Sequence, residues 1–167
     1  VKILSHRGYW RQPSERNAET AFRRSFDLGF GTETDVRDCR GALVISHDMP
    51  RGDEITLAAF LAIHGGSALP LAINVKADGM AQALCAAMRG IDDWFAFDMS
   101  IPDTRAYLRA GAPVFVRMSE VERDPPFLER AAGVWLDAFE TAWFDAALVA
   151  SLLAKTRVCV VSPELHG

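Results

Sequence analysis

Short apolar runs rich in Val, Ile, Leu and Phe recur along the chain, and between them the apolar positions switch to helical spacing. Eight runs read as strands: "VKILSH", "GTETDV", "ALVISH", "LPLAINVK", "WFAFDMS", "PVFVRMS", "GVWLDAF" and "RVCVVSP". Most are continuous rather than alternating, as expected for strands buried on both faces of a parallel sheet. Five segments carry helix periodicity. "AETAFRRSFDLGF" puts Ala18, Ala21, Phe22, Ser25 and Phe26 on one stripe, and "ITLAAFLAIHGG" stops at a Gly pair. "GMAQALCAAMRG", "PDTRAYLRAG" and "TAWFDAALVASLLAKT" follow the same pattern. "DCRGAL" reads as a tight hairpin turn, so the third run returns on the second instead of starting a new unit. Seven strands then alternate strictly with helices, which is the order of an α/β protein with a parallel sheet.

Two architectures have that order, an open doubly wound sheet and a barrel. No GxGxxG or GxxxxGK[ST] follows a strand, so the nucleotide-binding form of the open sheet has no support. The polar residues favour the other. His6 and Arg7, Glu33 and Asp35, His47 and Asp48, Asn74 and Lys76, Asp98, Arg117 with Ser119 and Glu120, Asp137 and Glu164 all fall at strand ends. Barrels build their sites at the C-terminal ends of their strands. The reading is a TIM (β/α)8-type barrel forming a single domain over residues 1–167. A full barrel takes about 250 residues, so the last βα unit is expected to be missing, with the C-terminal part of the barrel.

Composition narrows the function. Half of the 167 residues are hydrophobic and about a quarter are charged, an ordinary globular mixture. A net charge of -4 gives no basic footprint, so no nucleic-acid partner is expected. No apolar run reaches the roughly 18–20 residues of a membrane span. Cys39, Cys85 and Cys159 are few, odd in number and widely spaced, which suits a reducing compartment. A cytoplasmic location is expected, unless a leader has been trimmed.

Glu33 and Asp35 sit two apart on an extended segment, so both carboxylates face one way. Like charges that close repel unless a cation lies between them, and oxygen ligands select Mg²⁺ or Ca²⁺. His6 and His47 end neighbouring strands, where two imidazoles can divide general acid and general base work. Arg7 offers a planar fork suited to a phosphate or carboxylate, and Lys76 adds a second cation. Two proton carriers, two metal-type carboxylates and two cations are the set that phosphoryl chemistry needs. His64 is expected at the surface or as a helix cap, Trp135 as a packing residue, and Glu164 and His166 as further lining candidates.

The blocks "HRG", "ERNAETAF", "GFGTETDVRD", "LVISHD" and "INVK" stand in an order and spacing that resemble the glycerophosphodiester phosphodiesterase family, among the phosphatidylinositol-phospholipase-C-like barrels. The resemblance runs through roughly the first half of the chain by motif and through the rest by βα rhythm. It implies His6 and His47 as the catalytic acid/base pair, and Arg7 and Lys76 as phosphate-binding cations. It further implies Glu33 and Asp35 as ligands of a divalent cation, and a small-molecule phosphodiester as substrate. Where the family reads Glu-x-Lys, this chain reads Asn74-Val75-Lys76, so an amide replaces a carboxylate ligand, and Asp98 is the candidate to compensate. In the "ERNAET" block Asn17 matches the family, while Arg16 stands at an acidic position unless Glu15 takes that role. Two other readings accompany hydrolysis: a barrel that binds a phosphorylated ligand without turnover, and a sphingomyelinase-type lyase that releases a cyclic phosphate.

Overall fold

Each apolar run becomes a strand in the computed structural model, which describes residues 1–162 and 165. The chain divides into two units, Val1–Ala112 and Pro113–Gly167. The first holds β1 (Leu4–His6), α1 (Glu19–Asp27), β2 (Gly31–Cys39), β3 (Ala42–Ile45), α2 (Leu57–His64), β4 (Leu71–Val75), α3 (Ala81–Ala87), β5 (Trp94–Phe97) and α4 (Ile101–Arg109). Its sheet runs β1-β2-β4-β5 with every pair parallel, and β3 lies antiparallel on β2. All of β4 and β5 is buried, which is why their sequences show no polar alternation.

The hairpin forms as expected. Arg40 and Gly41 both take positive φ, 50° and 83°, the type I′ geometry that matches the strands' twist, and Cys39 pairs with Ala42. The helices cover the sheet through their apolar stripes. Phe22 of α1 meets Phe60 of α2 edge-on with centroids 4.6 Å apart, and both are fully buried. Each such ring contributes roughly 1.5–3 kcal/mol by burial. Thr56 caps α2 by accepting from the Ala59 amide, and left-handed Gly65 ends it. His64 is not a surface residue: it is 3 % exposed, with Nε2 against the Leu69 carbonyl and its ring edge-on to Phe26. Burial on the Phe26 side and the returning loop take it from solvent.

The second unit contains β6 (Phe115–Met118), β7 (Gly133–Leu136), α5 (Ala146–Leu153) and β8 (Arg157–Val160), in the parallel order β6-β7-β8. Asp145 caps α5 by accepting from the Leu148 amide. Strict alternation fails once. Between β6 and β7 stands only the 3-10 turn Leu128–Arg130, because Pro125 and Pro126 interrupt any helix there. The parallel βα order expected of a TIM-type barrel is therefore present, while the described strand pairings form two sheets rather than one closed ring. Glu164 and His166 lie outside the described residues.

Candidate active site

Parallel register decides what meets at the C-terminal ends of the first unit's strands. His6 pairs with Glu33, and Asp35 pairs with Asn74, which pairs in turn with Phe97. Lys76 lies just past β4 and Asp98 just past β5. Side chains on one face of β2 therefore stand beside the ends of β1 and β4.

The turn after β1 is built to hold that position. Arg7 takes a left-handed φ of 57°, and its amide reaches both the carbonyl (2.9 Å) and the carboxylate Oε2 (3.1 Å) of Glu33. A bulky residue held there stores of order 1–3 kcal/mol of strain, which persists only where the surroundings over-determine it. Gly8 follows at φ 80°, and its amide donates to Thr32 Oγ1 at 3.0 Å. A Cβ on Gly8 would lie 2.9 Å from the Ala21 carbonyl carbon, so no other residue fits between this turn and α1.

Around β2 the contacts close into a network. His6 Nε2 lies 3.7 Å from Glu33 Oε2. Arg7 Nε lies 3.0 Å from Asp35 Oδ2, close but out of line for a hydrogen bond, and Lys76 Nζ lies 3.4 Å from Asp35 Oδ1. Asn17, which the sequence marks only by its place in a motif, orients the carboxylate. Its amide nitrogen donates to Asp35 Oδ2 at 2.8 Å, and its amide oxygen accepts from Thr34 at 2.9 Å. Asn17 also has positive φ, 59°, a conformation that asparagine tolerates and that a sequence does not display. Glu15 takes no part in this network. It ion-pairs with Arg24 at 2.9 Å and accepts from the Arg11 amide, which tie down the loop before α1.

Electrostatics sharpen the picture. Glu33 and Asp35 are 2 % and 0 % exposed. Burial and the neighbouring Asp35 charge push the Glu33 carboxyl well above the usual carboxylate range, against the Arg7 amide bond that lowers it. Burial, with the Arg7 guanidinium next, lowers His6 to about 4. His47 follows β3, is about half exposed, and places Nδ1 2.9 Å from Asp48 Oδ1. That hydrogen bond holds the Asp48 carboxyl below its ordinary range. His47 and Asp48 line a cleft of about 430 Å³ together with Arg7, Arg16 and Asn17.

Three buried oxygens at this place have no hydrogen-bond donor: Glu33 Oε1, Asp35 Oδ1 and Asn74 Oδ1. Buried acceptors are seldom left so, and each costs about 1–3 kcal/mol unless something else takes its lone pairs. No group of three His, Cys, Asp or Glu side chains converges among the described residues, so a cation here would need the Asn74 amide as its third protein oxygen. Two carboxylates and an amide are the donor set of a hard divalent ion. The residues fit. His6, Arg7, Glu33, Asp35 and Lys76 are thus joined by contacts, His47 shares the cleft with Arg7, Asn74 is placed by register beside Asp35, and Asp98 follows the end of β5.

No family model matches the chain, and no curated protein matches it. Solved structures do. A glycerophosphodiester phosphodiesterase from Thermotoga maritima is 17 % identical with a TM-score of 0.61, covering 99 % of this chain and 96 % of that one. A phosphodiesterase from Oleispira antarctica, in complex with the product sn-glycerol-3-phosphate, is 16 % identical with a TM-score of 0.70, covering 97 % and 84 %. A glycerophosphodiester phosphodiesterase from Agrobacterium tumefaciens is 17 % identical with a TM-score of 0.66, covering 99 % and 98 %. At such identities the likeness establishes the fold, a TIM-barrel type of α/β chain, and leaves the chemistry to the site.

Proposed function

We propose that residues 1–167 form one phosphodiesterase-type barrel domain that hydrolyses a small glycerophosphodiester-like substrate with the help of a divalent cation. The observation that carries this reading is three buried oxygens that accept no hydrogen bond, set beside Arg7, Lys76 and His6. Glu33, Asp35 and Asn74 would hold Mg²⁺ or Ca²⁺, with Asp98 as the neighbouring reserve ligand. When bound, the ion offsets charge on the phosphate oxygens and polarises the phosphorus centre.

The chain's own groups do the rest. Arg7 and Lys76 face the non-bridging oxygens and hold the phosphate by charge-assisted bonds. One histidine takes the proton from the attacking oxygen, either water or a hydroxyl adjacent on the alcohol. The other delivers a proton to the departing alcohol as its P–O bond breaks. Attack by water gives a phosphomonoester and an alcohol directly. Attack by the neighbouring hydroxyl gives a cyclic phosphate that water then opens. Asp48, accepting from His47 Nδ1, keeps the opposite ring nitrogen available for proton transfer. Glycerol phosphate bound to the Oleispira antarctica neighbour supports a product of that kind.

Free Cys39, Cys85 and Cys159 support a reducing compartment such as the cytoplasm. No helix among the described residues is long and apolar enough to cross a membrane. Replacing His6 or His47 by Ala is expected to lower hydrolysis of bis(4-nitrophenyl) phosphate by ~10³-fold with unchanged circular dichroism. Unchanged turnover in either variant defeats the reading. Phosphate binding without turnover under saturating Mg²⁺ or Ca²⁺ would favour the non-catalytic barrel, and a cyclic end product in the phosphorus NMR spectrum the lyase.

A further inference from the structure

The cleft beside His47 has more positive charge on its rim than one phosphodiester group requires. Arg7, which lines it, lies against the Asp35 carboxylate. Two more arginines, Arg16 and Arg51, line it as well. Its acids do not answer them: Asp48 is spent on His47, and both oxygens of Glu54 accept from the Arg51 and Gly52 backbone amides. Among the described residues no carboxylate forms an ion pair with the guanidinium of Arg16 or Arg51.

Arg16 is also held in place. Its guanidinium lies 4.3 Å from the centre of the Trp10 ring. The Trp10 indole N–H donates to the His6 carbonyl at 3.0 Å, so the ring is anchored to the end of β1 itself. Arg16 lines the cleft whereas Trp10 does not, which makes the indole a platform behind the cation. On the other side of Arg16, the Asn17 amide is bonded to the Arg7 carbonyl at 3.0 Å. An exposed arginine ordinarily samples many rotamers, and stacking on a fixed ring removes much of that freedom before a ligand arrives.

We propose that Arg16, seated on Trp10, is a specificity-determining residue that binds a second anionic group, a carboxylate or a phosphate monoester, on one alcohol of the phosphodiester substrate. This rests on the phosphodiesterase reading and names the substrate class for that site. A planar guanidinium pairs with either anion through two parallel N–H bonds. Arg51, in the segment after β3 that lines the same cleft, supplies the supporting field.

The test compares two chromogenic diesters that differ by one carboxylate: 4-nitrophenyl ethyl phosphate and 4-nitrophenyl carboxymethyl phosphate. The wild-type protein should prefer the charged one, and Arg16→Gln should reduce the charged-to-neutral ratio of kcat/KM by about fivefold or more, mainly through KM. Arg16→Lys should retain part of the preference, and Trp10→Leu should lose part of it without any change of net charge. A ratio that moves by less than about fivefold in Arg16→Gln overturns the proposal. If the wild-type protein turns over neither diester, hydrolysis is refuted, and binding alone decides the inference. Calorimetry with 3-phosphoglycerate and glycerol 3-phosphate then asks whether Arg16→Gln lowers the affinity ratio of the first over the second by the same factor; an unchanged ratio overturns it.

Discussion

Both units of this protein bury acids on their strands or directly after them, and they treat them in opposite ways. In the second unit, Asp137 is 2 % exposed and directly follows β7. One oxygen accepts from the Ala138 amide at 2.9 Å. The other accepts from Trp135 Nε1 at 3.3 Å and faces Arg117 at 3.6 Å. Nearby, the Glu120 carboxylate accepts from the amides of Phe139, Glu140 and Thr141 and holds the loop after β7. In the first unit, Glu33 and Asp35 are as deeply buried, yet Glu33 Oε1 accepts no hydrogen bond and Asp35 Oδ1 only faces the Lys76 ammonium at 3.4 Å. Satisfied acids make structure. Acids with an oxygen that accepts no hydrogen bond, set beside cations and an imidazole, are prepared for a ligand that would offset part of the cost of their burial.

Neutralising the acids is the most direct way to break this contrast. Glu33→Gln or Asp35→Asn should lower diester hydrolysis by about 10³-fold or more, since each removes a charge that holds the cation and orders the phosphate ligands. Near neutral pH, Glu33→Gln should leave the melting temperature of the cation-free protein almost unchanged, because burial already keeps that carboxyl protonated. A large fall in stability without a fall in activity would place these acids in the same class as Asp137.

Asp137→Ala is the mirror experiment. It removes the acceptor used by Trp135 and Ala138 and the charge beside Arg117, and should destabilise the protein by about 3 kcal/mol in urea unfolding. A loss below about 0.5 kcal/mol would show that its hydrogen bonds are incidental.

A smaller effect separates the acids by pH. Glu33, raised to about 8 by burial and by Asp35, keeps its proton longer in the folded chain than in the unfolded one. Its favourable contribution is complete below about 4.5 and is lost as pH rises towards 8. His6, lowered to about 4, acts in the opposite direction: its neutral form is favoured by the fold, and stability falls as pH drops from 6.5 towards 4. The cation-free melting temperature should therefore decline between pH 6.5 and 8, and saturating Mg²⁺ or Ca²⁺ should flatten that decline. Differential scanning fluorimetry with and without chelator checks it, and a profile insensitive to the ions would mean the three oxygens do not bind them.

Period and punctuation made much of this protein legible from its letters. Continuous apolar runs marked most strands, Arg40-Gly41 marked the hairpin, and the Gly pair after His64 marked a helix stop. The two-residue spacing of Glu33 and Asp35 required a shared face, because side chains alternate along any strand. Strict alternation, by contrast, expected a helix between β6 and β7, where Pro125 and Pro126 leave only a 3-10 turn among the described residues.

What remained hidden was partnership. Asn17 reaches Asp35 across 18 positions, the Arg7 amide reaches Glu33 across 26, and Arg16 lies on a ring anchored to His6. Whether a polar group is satisfied depends on atoms delivered by distant segments, so no local pattern distinguishes Asp137 from Asp35 or a buried His64 from a surface one. The sequence by itself determined the strand set, the hairpin and the identity of the residues at the strand ends, because these follow from periodicity and backbone chemistry. Only the tertiary structure decided which of those residues are spent on one another and which oxygens remain for a ligand, because hydrogen-bond satisfaction is a property of the packed chain.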